Sequence, residues 1–146
     1  MFFGTFPNSI DDKGRCMIPA KLRHGLGDEC MVTLGPDKNI LIYTEDDYTR
    51  FLNEHILNRP MEDRSARVLQ DFYTSNTHSC TIDKQGRVNL PQYFIEYAGI
   101  SKDTVTVGNA DHISIWSKEK YDAERNPLTV DAGALFDDML KYVTTK

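Results

Sequence analysis

The chain has 146 residues, of which 40% are hydrophobic and 27% charged, and a net charge of −5. Such a length suits one domain or two very small ones, and the composition is that of a folded globular protein rather than a disordered one. The acidic balance argues against coating nucleic acid by bulk charge but leaves room for a local basic patch, and no apolar run approaches the ~20 residues of a membrane span.

The opening stretch, MFFGTFPNSI, has no basic region and no long apolar run. No signal peptide is expected, and the cytoplasm is the expected compartment. The three cysteines, Cys16, Cys30 and Cys80, form no C-x-x-C pair, so they read as reduced thiols. His78 and Cys80 are the nearest His/Cys approach, but no second pair accompanies them. Neither a metal nor another cofactor is expected.

The residues from Ile10 to Pro19 read IDDKGRCMIP, and those from Ile82 to Pro91 read IDKQGRVNLP. The match continues in order: VTLG (Val32–Gly35) with VTVG (Val105–Gly108), ILIY (Ile40–Tyr43) with ISIW (Ile113–Trp116), and Tyr48 with Tyr121. The offset is 72 in the first motif and 73 beyond it, so one residue is inserted in the second copy between Pro91 and Val105. Ordered agreement over ~40 residues marks an internal duplication.

Each copy predicts the same series. A strand leads into an Asp-x-x-x-Arg turn, and a second strand follows, RCMI or RVNL. Proline then opens a short helix, PAKLRHGLG or PQYFIEYAG, closed by glycine. Two β-branched strands come next, CMVTLG and NILIY in copy one, DTVTVG and HISIW in copy two.

Helical spacing predicts a helix over Glu45–Leu57, a break at Asn58–Pro60, and a second helix over Met61–Tyr73 with Met61, Ser65, Val68, Leu69 and Phe72 on one stripe. In copy two SKEKYDAE is short and RNPLTV interrupts. Asp131–Val143 closes the chain, with Leu135, Met139, Leu140 and Val143 on its apolar face. These stripes read as core-facing or partner-facing surfaces.

The expected boundaries are a first repeat at 5–47, a helical connector at 48–75, a second repeat at 76–119, and a C-terminal helical segment at 120–146. One repeat of ~45 residues buries too little surface to fold alone, so the copies should interlock about a pseudo-two-fold axis.

In the turns, Gly14 and Gly86 supply a positive φ, and Asp11 and Asp83 accept hydrogen bonds from turn N–H groups. Arg15 and Arg87 can reach back to those carboxylates in bidentate pairs. One reading ends there, with a well-made turn and an exposed salt bridge worth about 0–1 kcal/mol. The other reading makes the same geometry a rigid mount for a guanidinium suited to phosphate or guanine, with Lys13 or Lys84 beside it. Lys21, Arg23 and His24 on the first short helix form the most basic cluster, placed near the first turn by sequence. Catalysis finds no support. The neighbouring arginines should keep both aspartates ionised, and no nucleophile elbow, P-loop or dinucleotide fingerprint occurs.

At these residues the chain resembles the MraZ family. The matching stretches are MFFG, DDKGRCMIPAKLR, DKQGRVNLP with EYAGI, and GNADHISIWSKEKYD. The resemblance implies an α+β fold: tandem pseudo-symmetric β-rich repeats of the AbrB/SpoVT swapped-hairpin type, forming an interlocked barrel with flanking helices. It implies a cytoplasmic, nucleoid-associated regulator that binds direct repeats in double-stranded DNA upstream of its own division and cell-wall operon, typically as a repressor. It also implies a ring-shaped homo-oligomer with no membrane association. Arg15 and Arg87 would be the main DNA contacts, oriented by Asp11 and Asp83 and assisted by Lys13 and Lys84. Lys21 and Arg23 would add basic charge. A ring would let weak turns act together, a linkage that raises avidity ~10²–10⁴-fold. The alternative is an oligomeric scaffold in which the arginine turns serve assembly.

Three positions depart from the family pattern. Phe94-Ile95 stands where the second repeat usually continues to Leu-Arg, as Leu22-Arg23 does in the first. Asn89 replaces an expected aliphatic residue, and Cys16 is a milder change. Less positive charge is therefore expected around the second turn than around the first.

Overall fold

In the computed structural model, which describes residues 1–144, the two copies trade strands. Copy one supplies β1 (Thr5–Ser9), β2 (Arg15–Met17), β3 (Glu29–Leu34) and β4 (Ile40–Tyr43). Copy two supplies β5 (His78–Thr81), β6 (Arg87–Asn89), β7 (Asp103–Gly108) and β8 (Ile113–Ser117). The strands β3–β4 and β7–β8 pair within their own copies. The strands that lead into the turns do not. β1 lies antiparallel on β7 of the other copy, with Pro7 opposite Val105, and β5 lies on β3, with Cys30 opposite Cys80. The pair β4–β8 completes an antiparallel sheet in the order β1-β7-β8-β4-β3-β5.

The sheet does not close into the expected barrel, because β1 and β5 remain its edges. The turns at Gly14 and Gly86, with φ of +77° and +83°, carry the chain out of the sheet. The short strands that follow, β2 and β6, pair with each other as a separate ribbon, which touches the β1 side through the isolated bridge of Ile10 with Cys16 but extends neither edge as a ladder.

Helices α1 (Ala20–Leu26) and α4 (Gln92–Tyr97) follow Pro19 and Pro91, and the positive-φ glycines Gly27 and Gly99 succeed them. Leu22 and Leu26 of α1, and Phe94 and Ile95 of α4, are buried. They pack with the inner face of the ribbon, Cys16 and Val88, and with Val32, Ile40, Ile42, Ile113 and Ile115 of the sheet. One core therefore draws on both copies. This arrangement solves the size problem of a lone repeat, which has too little interior of its own.

The connector differs in detail from its sequence pattern. The first helix begins as expected, with Thr44 Oγ1 accepting from the Asp47 N–H at 3.1 Å, as α2 (Glu45–Phe51). It runs on through a π-helical stretch, Leu52–Ile56. The second, α3 (Arg64–Ser75), starts three residues later than Met61, because the Asp63 side chain caps it by accepting from the Ser65 N–H at 2.9 Å. Its buried residues are Ala66 and Tyr73, while Met61, Ser65 and Val68 stay exposed and Leu69 and Phe72 are half-buried. Tyr48 fixes α2 to this region, its hydroxyl 2.6 Å from Thr77 Oγ1.

α5 (Lys118–Glu124) is capped by Ser117. α6 (Ala132–Thr144) turns its apolar residues outward: Leu135, Phe136, Met139 and Val143 are each more than half exposed. Its stripe serves no core within the described chain. No helix among the described residues is long and apolar enough to cross a membrane.

The contrast between the two kinds of apolar residue is measurable. Phe94→Ala, which empties a site of 0% exposure, is expected to destabilise the fold by about 3–5 kcal/mol. Leu135→Ala should change it by no more than about 0.5 kcal/mol. Chemical denaturation of the two variants checks both values.

Candidate nucleic-acid interface

In each turn the aspartate organises the loop. Asp11 Oδ1 accepts from the Lys13 and Arg15 N–H groups at 3.0 and 2.9 Å, and its Oδ2 accepts from Arg15 Nε at 2.6 Å. Asp83 repeats the pattern with the Gln85 and Arg87 N–H groups at 2.9 and 2.8 Å and Arg87 Nε at 2.9 Å. Each ion pair is thus a single Nε contact rather than the expected bidentate one, because Oδ1 is already taken by two backbone donors. The consequence is useful. The two Nη groups of each arginine keep their donors without a partner among the described residues, on a guanidinium whose orientation is already set. Both carboxyls sit below the ordinary value of 3.8, chiefly because the Arg15 or Arg87 backbone N–H donates to them, with the guanidinium adding to the effect. Both are therefore ionised at neutral pH.

The ribbon places the two arginines together. Its register sets Arg15 opposite Asn89, Cys16 opposite Val88, and Met17 opposite Arg87. Residues opposite each other, and those two apart, share a face of a β-ribbon. One face therefore carries Cys16 and Val88, both 0% exposed. The other carries Arg15, Met17, Arg87 and Asn89. Strand spacing puts the two arginine Cα atoms ~8 Å apart on the diagonal. Two backbone bonds lock the ends: Ile18 N–H to Gly86 O at 2.8 Å, and Leu90 N–H to Gly14 O at 2.9 Å.

Each turn is covered by the helix of the other copy. The Arg23 guanidinium lies on Gly86, where an added Cβ would stand 2.0 Å from Arg23 Cζ, and Arg23 Nη2 donates to Ile18 O at 2.8 Å. Ile95, the residue of copy two that corresponds to Arg23, lies on Gly14, its Cδ1 3.1 Å from where an added Cβ would stand. The expected charge imbalance is therefore reversed. Helix α1 faces the second turn, where Arg23 and His24 share a cleft with Asp83 and Lys84, and the first turn has the aliphatic cover. Chain proximity misled, because the strand exchange carries α1 across to the other copy's turn. The offset of 72 already aligns Arg23 with Ile95, so the signal was present once the β2–β6 pairing is known.

Lys13, Lys21 and Lys84 are exposed, and Arg23 is half-buried. The His78 Nε2 lies 2.9 Å from the Tyr93 hydroxyl. Among the described residues no group of three or more His, Cys, Asp or Glu could hold a metal ion.

A family model described as "MraZ protein, putative antitoxin-like" matches residues 1–72 and 74–128. The chain is 41% identical over 122 residues to the transcriptional regulator MraZ of Natranaerobius thermophilus, spanning 84% of this chain and 85% of that protein. It is 39% identical over 122 residues to the transcriptional regulator MraZ of Desulforamulus reducens, with the same shares covered. With the transcriptional regulator MraZ of Clostridium acetobutylicum the identity is 37% over 139 residues, 95% of this chain and 96% of the other.

Two measurements test the turns. Gly14→Ala and Gly86→Ala each force an L-residue into left-handed backbone, at a cost of roughly 1–2 kcal/mol. Gly86→Ala also drives a methyl into the Arg23 guanidinium, which must swing away and give up its bond to Ile18 O. The part of its cost due to that bond should vanish in an Arg23→Ala background, whereas the cost of Gly14→Ala should not change there; denaturation midpoints decide. The second concerns pH. Because both carboxyl values are depressed on folding, their contribution to stability is complete above the ordinary 3.8 and is lost as the pH falls through the lower folded value. Asp11→Asn/Asp83→Asn should remove that component of the acid transition, seen in unfolding followed against pH.

Proposed function

The chain belongs to the MraZ family, and from that footing we propose that it is a sequence-specific DNA-binding transcriptional regulator rather than an enzyme. It acts in the cytoplasm on the nucleoid, binds direct repeats upstream of its own division and cell-wall operon, and represses it. The repeats at 5–47 and 76–119 carry one arginine turn each, with 48–75 connecting them and 120–146 following. Arg15 and Arg87 make the main DNA contacts, Asp11 and Asp83 hold them, and Lys13, Lys84 and Lys21 add backbone contacts. Arg23 acts from behind the second turn.

The observation that carries this reading is the exposed ribbon face, with two pre-set guanidiniums whose Nη groups are available. A two-stranded β-ribbon fits the major groove, and arginine pairs with guanine O6/N7 or with phosphate. The relatives' name, transcriptional regulator, supports the same conclusion.

One ribbon offers too few cations for tight binding at physiological salt. A ring of copies supplies the rest through avidity. The outward apolar residues of α6 support such assembly, since a contiguous exposed patch of this kind marks an interaction surface. The same patch favours the second reading, in which the oligomer is a scaffold and the turns serve assembly.

The deciding experiment is binding of a labelled duplex from the chain's own upstream region across a salt series. Arg15→Ala and Arg87→Ala should each weaken specific binding by about 1–3 kcal/mol, with oligomer size unchanged by light scattering. Retained DNA affinity with a changed size would favour the scaffold.

A further inference from the structure

The exposed face of the ribbon holds four side chains, and only two of them are explained by the turns. Met17 and Asn89 are the other two. They occupy equivalent positions in the two copies, 72 residues apart. The arginines around them are the same in both copies, so this pair breaks the pseudo-symmetry of the face. One half offers a thioether, and the other a carboxamide.

Nothing in the fold accounts for Asn89. Asparagine is disfavoured in strands, and Val, Ile or Tyr would suit a half-exposed ribbon better. Its side chain is exposed and its amide makes no hydrogen bond among the described residues, whereas its neighbours on the other face, Val88 and Leu90, are buried. It stands directly opposite Arg15 and two residues from Arg87. Its Oδ1 lies 3.7 Å from where a Cβ on Gly14 would be, so it leans toward the first turn. A neutral donor–acceptor pair therefore sits between two oriented guanidiniums on an otherwise solvent-facing surface.

Asparagine presents an acceptor and two donors in one plane, the complement of adenine N6 and N7 in the major groove. Phosphate, by contrast, calls for cations, which the same face already has. We infer that Asn89 is a specificity-determining residue that reads one adenine between the bases or phosphates engaged by Arg15 and Arg87, while Met17 makes the matching apolar contact, suited to a thymine methyl. The inference rests on the proposal that this ribbon enters DNA. It adds that each protomer reads its site with a direction, because the two halves of the ribbon ask for different bases.

The test is selection from a pool of random duplexes by the full-length wild type, Asn89→Ala and Asn89→Met, followed by titration of the selected site over a salt series. The wild type should select a motif with one adenine that both variants cease to prefer. The preference lost is roughly tenfold to a hundredfold at that position. The salt dependence should stay the same, since no charge is removed. The unfolding midpoint should also stay the same, since Asn89 holds nothing together.

If Asn89→Ala selects the wild-type motif unchanged, or weakens binding equally on every sequence, the adenine assignment is wrong while the DNA reading stands. If the wild type binds no duplex at all, both are wrong. Salt-sensitive binding without any selected motif overturns base reading by Asn89 and leaves only backbone contacts.

Discussion

The structure depends on the reciprocal lock between the turns. Ile18 donates to Gly86, Leu90 donates to Gly14, and the three-residue strands between them pair. A ribbon this short has almost no stability of its own. It persists because its inner face, Cys16 and Val88, is sealed by residues of both copies. The lock fixes what lies outside as well. With Cys16 and Val88 committed inward, alternation leaves Arg15, Met17, Arg87 and Asn89 no direction but outward. A slip of one residue would bury two guanidiniums, so the register is strongly enforced.

The electrostatics follow from the same arrangement. The chain as a whole is acidic, yet the ribbon face carries its cations in fixed positions. Each aspartate spends one oxygen on the backbone and the other on Nε, which balances the guanidinium charge locally and removes its freedom to swing while leaving the Nη donors to bond elsewhere. The charge arrangement therefore favours a precise contact over a diffuse attraction. Around the second turn Arg23 adds a further cation; around the first, Ile95 adds none. The two halves are alike in geometry and unlike in field.

Much of this was legible in the sequence. The duplication, the strands, the turns with Gly14 and Gly86, and the Asp–Arg pairing all come from local chemistry: positive φ, short polar side chains, β-branched runs. What stayed hidden came from the exchange of strands. Sequence neighbours suggested that α1 serves the first turn, whereas it covers the second. The closure into a barrel failed because β2 and β6 satisfy each other. The start of α3 moved to Arg64 because a carboxylate at Asp63 outweighed the apolar spacing from Met61. The apolar stripe of α6 was correctly read as apolar, but its periodicity cannot say whether the surface it meets is the same chain or another.

The strand exchange also governs when the protein can form. β1 and β2 leave the ribosome early, yet their partners, β7 and β6, belong to the second copy. Pro7 waits for Val105, a gap of about a hundred residues that takes roughly 5–20 seconds to translate. During that interval the first copy has one hairpin, β3–β4, without its neighbours, and a ribbon strand with nothing to pair. Its long-range pairings must all close late, as in other folds of high contact order. A nascent first copy is thus an unfinished half with bare strand edges on a crowded polysome, where the first copy of a neighbouring chain offers the same edges. Fusion of the halves guarantees the right partner in the end, and the speed of elongation sets how long the wrong one has to compete.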